Sequence, residues 1–156
     1  MANELSAGEP APEFELPTDD GGHVRLRDLR GKAVALYFYP KDDTSGCTAE
    51  AIAFNALRAK FAAAGTVVIG VSPDSAASHD KFKRKHDLRI QLAADPARSA
   101  IDAYGVWKEK SMYGRKYFGV ERSTFLIDRA GRIAKVWRKV KVSGHTEEVL
   151  AAAKAL

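Results

Sequence analysis

Cys47 is the only cysteine among 156 residues, and it stands between Thr44-Ser45-Gly46 and Thr48-Ala49-Glu50. A lone cysteine is commonly a small buried hydrophobe with no chemistry. Three features of its setting point elsewhere. Cys47 lies where an apolar run gives way to a helical pattern, the kind of strand-to-helix junction at which open α/β sheets place their binding crevice. A thiol there meets the positive end of the helix dipole, and unpaired N–H groups stabilise the thiolate, the nucleophilic form. Gly46 permits close approach to the backbone, and Thr44 and Thr48 offer hydroxyls instead of apolar cover.

The surrounding residue types narrow the chemistry. A cysteine protease or acyltransferase needs a positioned histidine base. The four histidines, His23, His79, His86 and His145, fall in segments not expected beside Cys47, and each reads as a surface residue. None of them pairs with other ligands at metal-binding spacing, and one cysteine excludes both an intramolecular disulfide and a Cys-based zinc site. A Cys-x-x-Cys oxidoreductase is excluded because Glu50 holds the fourth position. A redox site working through one thiol, as in some glutaredoxin-like proteins, stays open beside an inert buried cysteine.

Peroxide reduction sets a demanding standard for such a site. Lowering a thiol pKa from about 8.5 to about 6 raises the thiolate fraction at neutral pH from roughly 3% to roughly 90%. That gain is only about 30-fold, or about 2 kcal/mol. Further acceleration requires donors aimed at the charge that grows as sulfur attacks one peroxide oxygen: backbone N–H groups, a hydroxyl, a fixed guanidinium.

The elements that must position these groups follow from pattern. Residues 14–16 and 23–26 flank Asp20-Gly21-Gly22 and read as a small hairpin. The apolar run Ala33–Phe38 reads as a strand buried on both faces, stopped by Pro40. Residues 47–64 form an amphipathic helix with Ile52, Phe54, Leu57 and Phe61 on one side, closed by Gly65. A buried strand over 66–71 follows, then a polar helix over 75–86 capped by Asp74 or Ser75. A short strand over 90–93 and a short helix over 98–104 come next. Residues 123–127 and 132–137 flank Asp128-Arg129-Ala130-Gly131 as a second hairpin. A helix from Glu147 ends the order, its glutamates suited to the positive end. This order fits an α/β, thioredoxin-like fold, a mixed central sheet flanked by helices with an N-terminal β-hairpin. One domain over residues 1–156 is expected.

Composition bounds the rest. The sequence is 46% hydrophobic and 29% charged, ordinary for a globular chain. The formal charge of +5 rests on two basic stretches, residues 79–86 and 135–142. In the second, Val136, Val140 and Val142 alternate with basic residues, as in a half-buried strand with a solvated outer face. No nucleic-acid motif accompanies them, so no nucleic-acid partner is expected. Residues 1–14 carry no signal-peptide pattern and no apolar stretch is long enough to span a bilayer, so the expectation is a cytoplasmic protein without a membrane partner.

Pro40, Thr44 and Cys47 stand in the spacing Pro-x-x-x-Thr-x-x-Cys. Around them lie three separated stretches, Tyr37-Phe38-Tyr39-Pro40-Lys41-Asp42-Asp43-Thr44, Gly105-Val106-Trp107-Lys108-Glu109-Lys110 and Gly119-Val120-Glu121-Arg122-Ser123-Thr124-Phe125-Leu126-Ile127-Asp128. Together, and in this order, they resemble the bacterioferritin-comigratory-protein or Prx-Q subfamily of the peroxiredoxins. The resemblance implies a thiol-dependent peroxidase for hydrogen peroxide and small organic hydroperoxides, with no cofactor or metal. It implies Cys47 as the peroxidatic cysteine, Thr44 as the hydroxyl orienting the peroxide, Pro40 as a shield and Arg122 as the guanidinium. Glu50 would hold that arginine, and Trp107 and Tyr113 are candidates for the rim, with a core or structural role as the alternative. A non-catalytic thioredoxin-fold binding or holdase protein is the alternative.

Two departures from the subfamily stand out. Ser45-Gly46-Cys47 replaces its usual Pro-Gly-Cys. More consequentially, Ile52 and the neighbourhood of Lys83, where relatives carry a resolving cysteine, hold no sulfur. An external thiol, such as thioredoxin or glutathione with glutaredoxin, is therefore the expected reductant. The resemblance also implies a monomer or weak dimer.

Overall fold

In the computed structural model, which describes residues 4–156, strand β3 (Ala33–Phe38) is the centre of the molecule. All six of its residues are buried, as a strand covered on both faces requires. The strand period of two sends Val34, Leu36 and Phe38 into one apolar cluster, and Ala35 and Tyr37, with Tyr39 beyond, into the other. Cys47 belongs to the second cluster.

Five strands form the main sheet in the order β5 (Gln91–Ala94), β4 (Thr66–Ser72), β3, β8 (Ser123–Ile127), β9 (Ile133–Trp137). β3, β4 and β5 run parallel; β8 is antiparallel to β3, and β9 to β8. The N-terminal hairpin pairs β1 (Glu15–Pro17) with β2 (His23–Arg25), matching the Asp20-Gly21-Gly22 turn. A 3-10 turn, Leu26–Leu29, leads on to β3.

The Cys47 face is covered by α1 (Ser45–Ala56), α2 (Arg58–Ala63), α3 (Ala76–His86) and α5 (His145–Lys154), through Phe54, Phe61, Phe82, Val149 and Leu150. The opposite face is covered by the N-terminal hairpin and α4 (Ser99–Ala103), through Leu16, Val24, Leu26 and Ile101. The fold is the expected α/β, mixed-sheet arrangement of thioredoxin-like proteins.

Several expectations need correction. The single helix over 47–64 is two helices, parted at Leu57 (φ −98°, ψ 3°). Ile52 is 47% exposed and leaves the apolar side to Phe54, Leu57 and Phe61. The strand expected to continue through Val140 and Val142 ends at Trp137, with Lys139 in left-handed backbone (φ 49°). α5 starts earlier than Glu147, because Gly144 (φ 74°) turns the chain into the helix at His145. Gly65 (φ 66°) does end α2, and Ser75 rather than Asp74 caps α3, accepting from Ser78 N at 3.1 Å.

One element goes beyond the expected order: an antiparallel ribbon of β6 (Trp107–Met112) and β7 (Arg115–Val120), turning at Tyr113-Gly114. It forms a separate two-stranded sheet, and its outer half, 111–118, is exposed. Among the described residues no helix is long and apolar enough to cross a membrane.

Candidate active site

β3 delivers the chain to Pro40, where the ladder stops, and residues 40–44 turn it into α1 with Asp43 in left-handed backbone (φ 61°). Thr44 has extended backbone (φ −88°, ψ 157°) and occupies the N-cap position. Its side chain does not cap the helix; the hydroxyl donates to Lys41 O at 3.0 Å. The first-turn N–H groups of Ser45, Gly46 and Cys47 therefore have neither an intrahelical acceptor nor a side-chain cap. They form a small donor set at the positive end of the helix.

Cys47 is 1% exposed and lies on the sheet side of α1. Arg122, at the entry to β8, donates from Nη2 to Cys47 Sγ at 3.3 Å and from Nη1 to Glu50 Oε1 at 2.8 Å. Glu50, one helical turn beyond Cys47, is fully buried. The arginine backbone is tied down as well, since its carbonyl accepts from Val140 N at 2.9 Å. Gly46 leaves room for this guanidinium: a β-carbon there would stand 3.2 Å from Arg122 Nη2. The close approach foreseen at Gly46 is thus made by Arg122.

Burial pushes the Glu50 carboxyl up to about 7, with Arg122 only partly offsetting it. Burial also works against the Arg122 charge, but Glu50 and Cys47 outweigh it and raise its pKa. Among the described residues, Glu50 Oε2 and the Tyr37 hydroxyl are buried without hydrogen-bond partners. Burial, then the charges of Glu50 and Cys47, push the Tyr37 phenol well up, keeping it protonated.

The structure thus joins Cys47, Gly46, Glu50 and Arg122 in direct contact. Pro40 is half-buried at the strand end, and exposed Thr44 makes no hydrogen bond to Cys47. Trp107 stacks under the Arg98 guanidinium at 4.5 Å, and Tyr113 is 98% exposed at the ribbon tip.

Two histidines expected at the surface are core residues. His79 is fully buried, with Nδ1 2.7 Å from Asp42 Oδ2 and Nε2 3.0 Å from Ala93 O. Tyr39 and Ser78 also donate to Asp42, at 2.6 and 2.7 Å. This network ties the loop before Cys47 to α3 and β5. His145 is buried against Phe54 and Trp137, its Nε2 2.8 Å from Thr124 Oγ1. Sequence reasoning missed both because the charged helix around His79 and the polar approach to α5 give no sign of which single residue turns inward. Among the described residues, no group of three or more His, Cys, Asp or Glu is placed to hold a metal ion.

A mixed sheet of this topology, with one thiol at a helix N-terminus and an arginine aimed at its sulfur, defines a thioredoxin-fold protein with a single-thiol redox site. Residues 7–136 match the model of the AhpC/TSA family, and the chain belongs to that family. A protein of Bacillus subtilis named peroxiredoxin Bcp is 50% identical over 146 residues, covering 94% of this chain and 93% of its own. A Coxiella burnetii protein named putative peroxiredoxin bcp is 49% identical over 146 residues, covering 94% and 97%. Among solved structures, a Xanthomonas campestris peroxiredoxin Q superposes with a TM-score of 0.90 at 43% identity, covering 97% of this chain and 98% of that one. A Xylella fastidiosa PrxQ mutant gives 0.92 at 38%, covering 99% and 98%. The chain is a peroxiredoxin, a thiol-dependent peroxidase that takes a peroxide substrate and a thiol reductant. That reading is favoured over the non-catalytic alternative.

Proposed function

We propose that the Cys47 thiolate reduces hydrogen peroxide and small organic hydroperoxides, and that an external thiol restores it. Sulfur bonds to the hydroxyl oxygen of the peroxide, the O–O bond breaks, and its electron pair leaves on the second oxygen, which takes up a proton. Cys47 becomes the sulfenate. The Arg122 guanidinium, 3.3 Å from the sulfur and anchored by Glu50, is the observation that carries this reading. A planar, always charged donor suits the oxygens that gain charge in the transition state. The uncapped N–H groups of the first turn supply further donors. Thr44 would offer its hydroxyl oxygen as an acceptor to the incoming peroxide, and Pro40 would limit water at the thiolate.

With one cysteine in the sequence, resolution needs a second molecule. The positions used by relatives are taken by exposed Ile52 and by Lys83, which pairs with Asp19 at 3.0 Å. Thioredoxin, or glutathione with glutaredoxin, would attack the sulfenate to give a mixed disulfide and water, and a second thiol would release Cys47. Because Cys47 is buried, the first turn of α1 must open for that attack, and the missing side-chain cap favours opening at this end. The remaining parts of the reading are one domain, a monomer or weak dimer, no cofactor, and action in the cytoplasm. Intact-mass analysis after one equivalent of peroxide, with and without each thiol, tests the scheme. Thiol adducts confined to Cys47 support it, and an obligatory Cys47–Cys47 disulfide between two chains would overturn it.

A further inference from the structure

Given external resolution as proposed above, a reducing protein must dock beside Cys47. We propose that it docks on one face of the β6–β7 ribbon, and that it is a dithiol protein with an acidic surface around its reactive sulfur. The ribbon is continuous with the site: β7 ends at Val120, two residues before Arg122. Its register places Lys110 opposite Tyr117 and Met112 opposite Arg115, so these four side chains share a face. Gly119 lies on the same face, where a β-carbon would meet Lys110 Cδ at 3.7 Å and Tyr117 Cε2 at 3.7 Å. At its base the ribbon is tied to the chain that enters the site, Glu121 N donating to Val106 O at 2.8 Å. Burial lowers the Lys110 pKa, the charge of Arg122 lowers it further, and those of Cys47 and Glu121 raise it.

The composition of the face identifies the occupant. Met112 is 56% and Tyr117 42% exposed, beside a shallow groove of about 600 Å³ that Tyr113, Arg115 and Lys116 also line. Lys110 and Arg115 form no ion pair among the described residues, whereas on the other face Lys116 pairs with Glu109 at 3.7 Å. Cations without an ion-pair partner around exposed apolar groups fit an acidic partner, and a second copy of the chain would bring like charges together. The basic helix α3 is a poorer platform despite its sequence. Lys83, Arg84 and Lys85 are paired with Asp19, Asp80 and Asp43, which leaves exposed Lys81 as its one lysine or arginine without an ion pair among the described residues.

On docking, one thiol of the partner condenses with the Cys47 sulfenic acid, forming the S–S bond and releasing water. Its second thiol then attacks the partner's own sulfur in that bond, returning Cys47 as a thiol and leaving the partner oxidised by two electrons.

The test compares wild type with Arg115→Glu and Tyr117→Ser, using a thioredoxin of net negative charge and, separately, dithiothreitol. Peroxide oxidation and dithiothreitol reduction should stay within about twofold of wild type, since neither residue touches the sulfur. Reduction by thioredoxin should fall at least about tenfold in Arg115→Glu, and its decline with rising salt should flatten. An unchanged thioredoxin rate with normal dithiothreitol reduction overturns the docking surface alone. So does equal slowing with both reductants, or a wild-type dimer that either substitution dissociates. If neither thiol reduces the wild-type sulfenate, external resolution itself fails, and the docking surface with it.

Discussion

The open side of Gly46 and the guanidinium of Arg122 occupy adjoining space: a β-carbon at residue 46 would lie 3.2 Å from Nη2. Because the same Nη2 reaches Cys47 Sγ at 3.3 Å, the missing side chain fixes how close the arginine comes to the thiolate. Gly46→Ala should therefore slow peroxide oxidation of Cys47 by about tenfold, equivalent to about 1.4 kcal/mol. Alanine is also the better helix former by about 0.5–1 kcal/mol, so stability should not fall. Paired stopped-flow and denaturant measurements check this; an unchanged rate would mean that Arg122 yields without consequence.

Arg122 links the sulfur to a buried carboxylate, and its removal takes away charge stabilisation of both thiolate and transition state. Arg122→Ala should slow oxidation by more than the roughly 30-fold that ionisation alone can supply. Arg122→Lys should recover only part, because an ammonium cannot bond Glu50 and the sulfur in one plane. Oxidation rates measured across pH, alongside thiol titration, separate the two contributions. A shifted titration with an unchanged rate at full ionisation would refute the transition-state role.

Glu50 gives a pH dependence of defined sign. Its pKa is raised from 4.5 to about 7 by burial, so the folded protein holds this proton more tightly than the unfolded chain. Its stabilising contribution is complete below about 4.5 and is lost as pH rises through about 7. The change amounts to roughly 3 kcal/mol for a fully buried group. Glu50→Gln should remove this part of the slope. Denaturant unfolding at pH 5 and pH 8 checks it, and equal slopes in both proteins would contradict the assignment.

The Asp42–His79 pair holds the loop that presents Cys47, and it too has a signature in pH. Burial raises the Asp42 pKa, but the bonds from His79, Tyr39 and Ser78 overcome that and lower it. Asp42 therefore stabilises the fold above its unfolded value of 3.8 and ceases to do so as pH falls through its lower folded value. Asp42→Asn should cost about 3–5 kcal/mol near neutral pH, as when a buried pair loses one partner. The gap to wild type should narrow in acid. Thermal or denaturant unfolding from pH 7 to pH 3 measures it, and a loss independent of pH would point to packing alone.

What the sequence made legible follows from where the physics is local. β3 was readable because burial on both faces leaves an unbroken apolar run, and the α1 start because Pro40 stops one element and Gly46-Cys47 opens the next. The β6–β7 ribbon was not readable as a hairpin. Exposed Met112, Tyr117 and Phe118 alternate with charges on both faces, and the turn uses Tyr113 with φ 53°, where Asn or Asp is the usual signal. Cys47, Arg122 and Glu50 were found as a set through a family resemblance, since nothing local brings residues 72 apart in sequence to 2.8 Å. The Asp42–His79 contact, spanning 37 residues, had no such help and was missed.

Stopped-flow oxidation of the pre-reduced protein by hydrogen peroxide, followed by intact-mass analysis, tests peroxide reduction at Cys47 most directly. Oxidation should be far faster than that of free cysteine, with one oxygen atom gained at Cys47, and neither should be seen in Cys47→Ser. A rate no faster than free cysteine would contradict it, as would oxidation at any other residue.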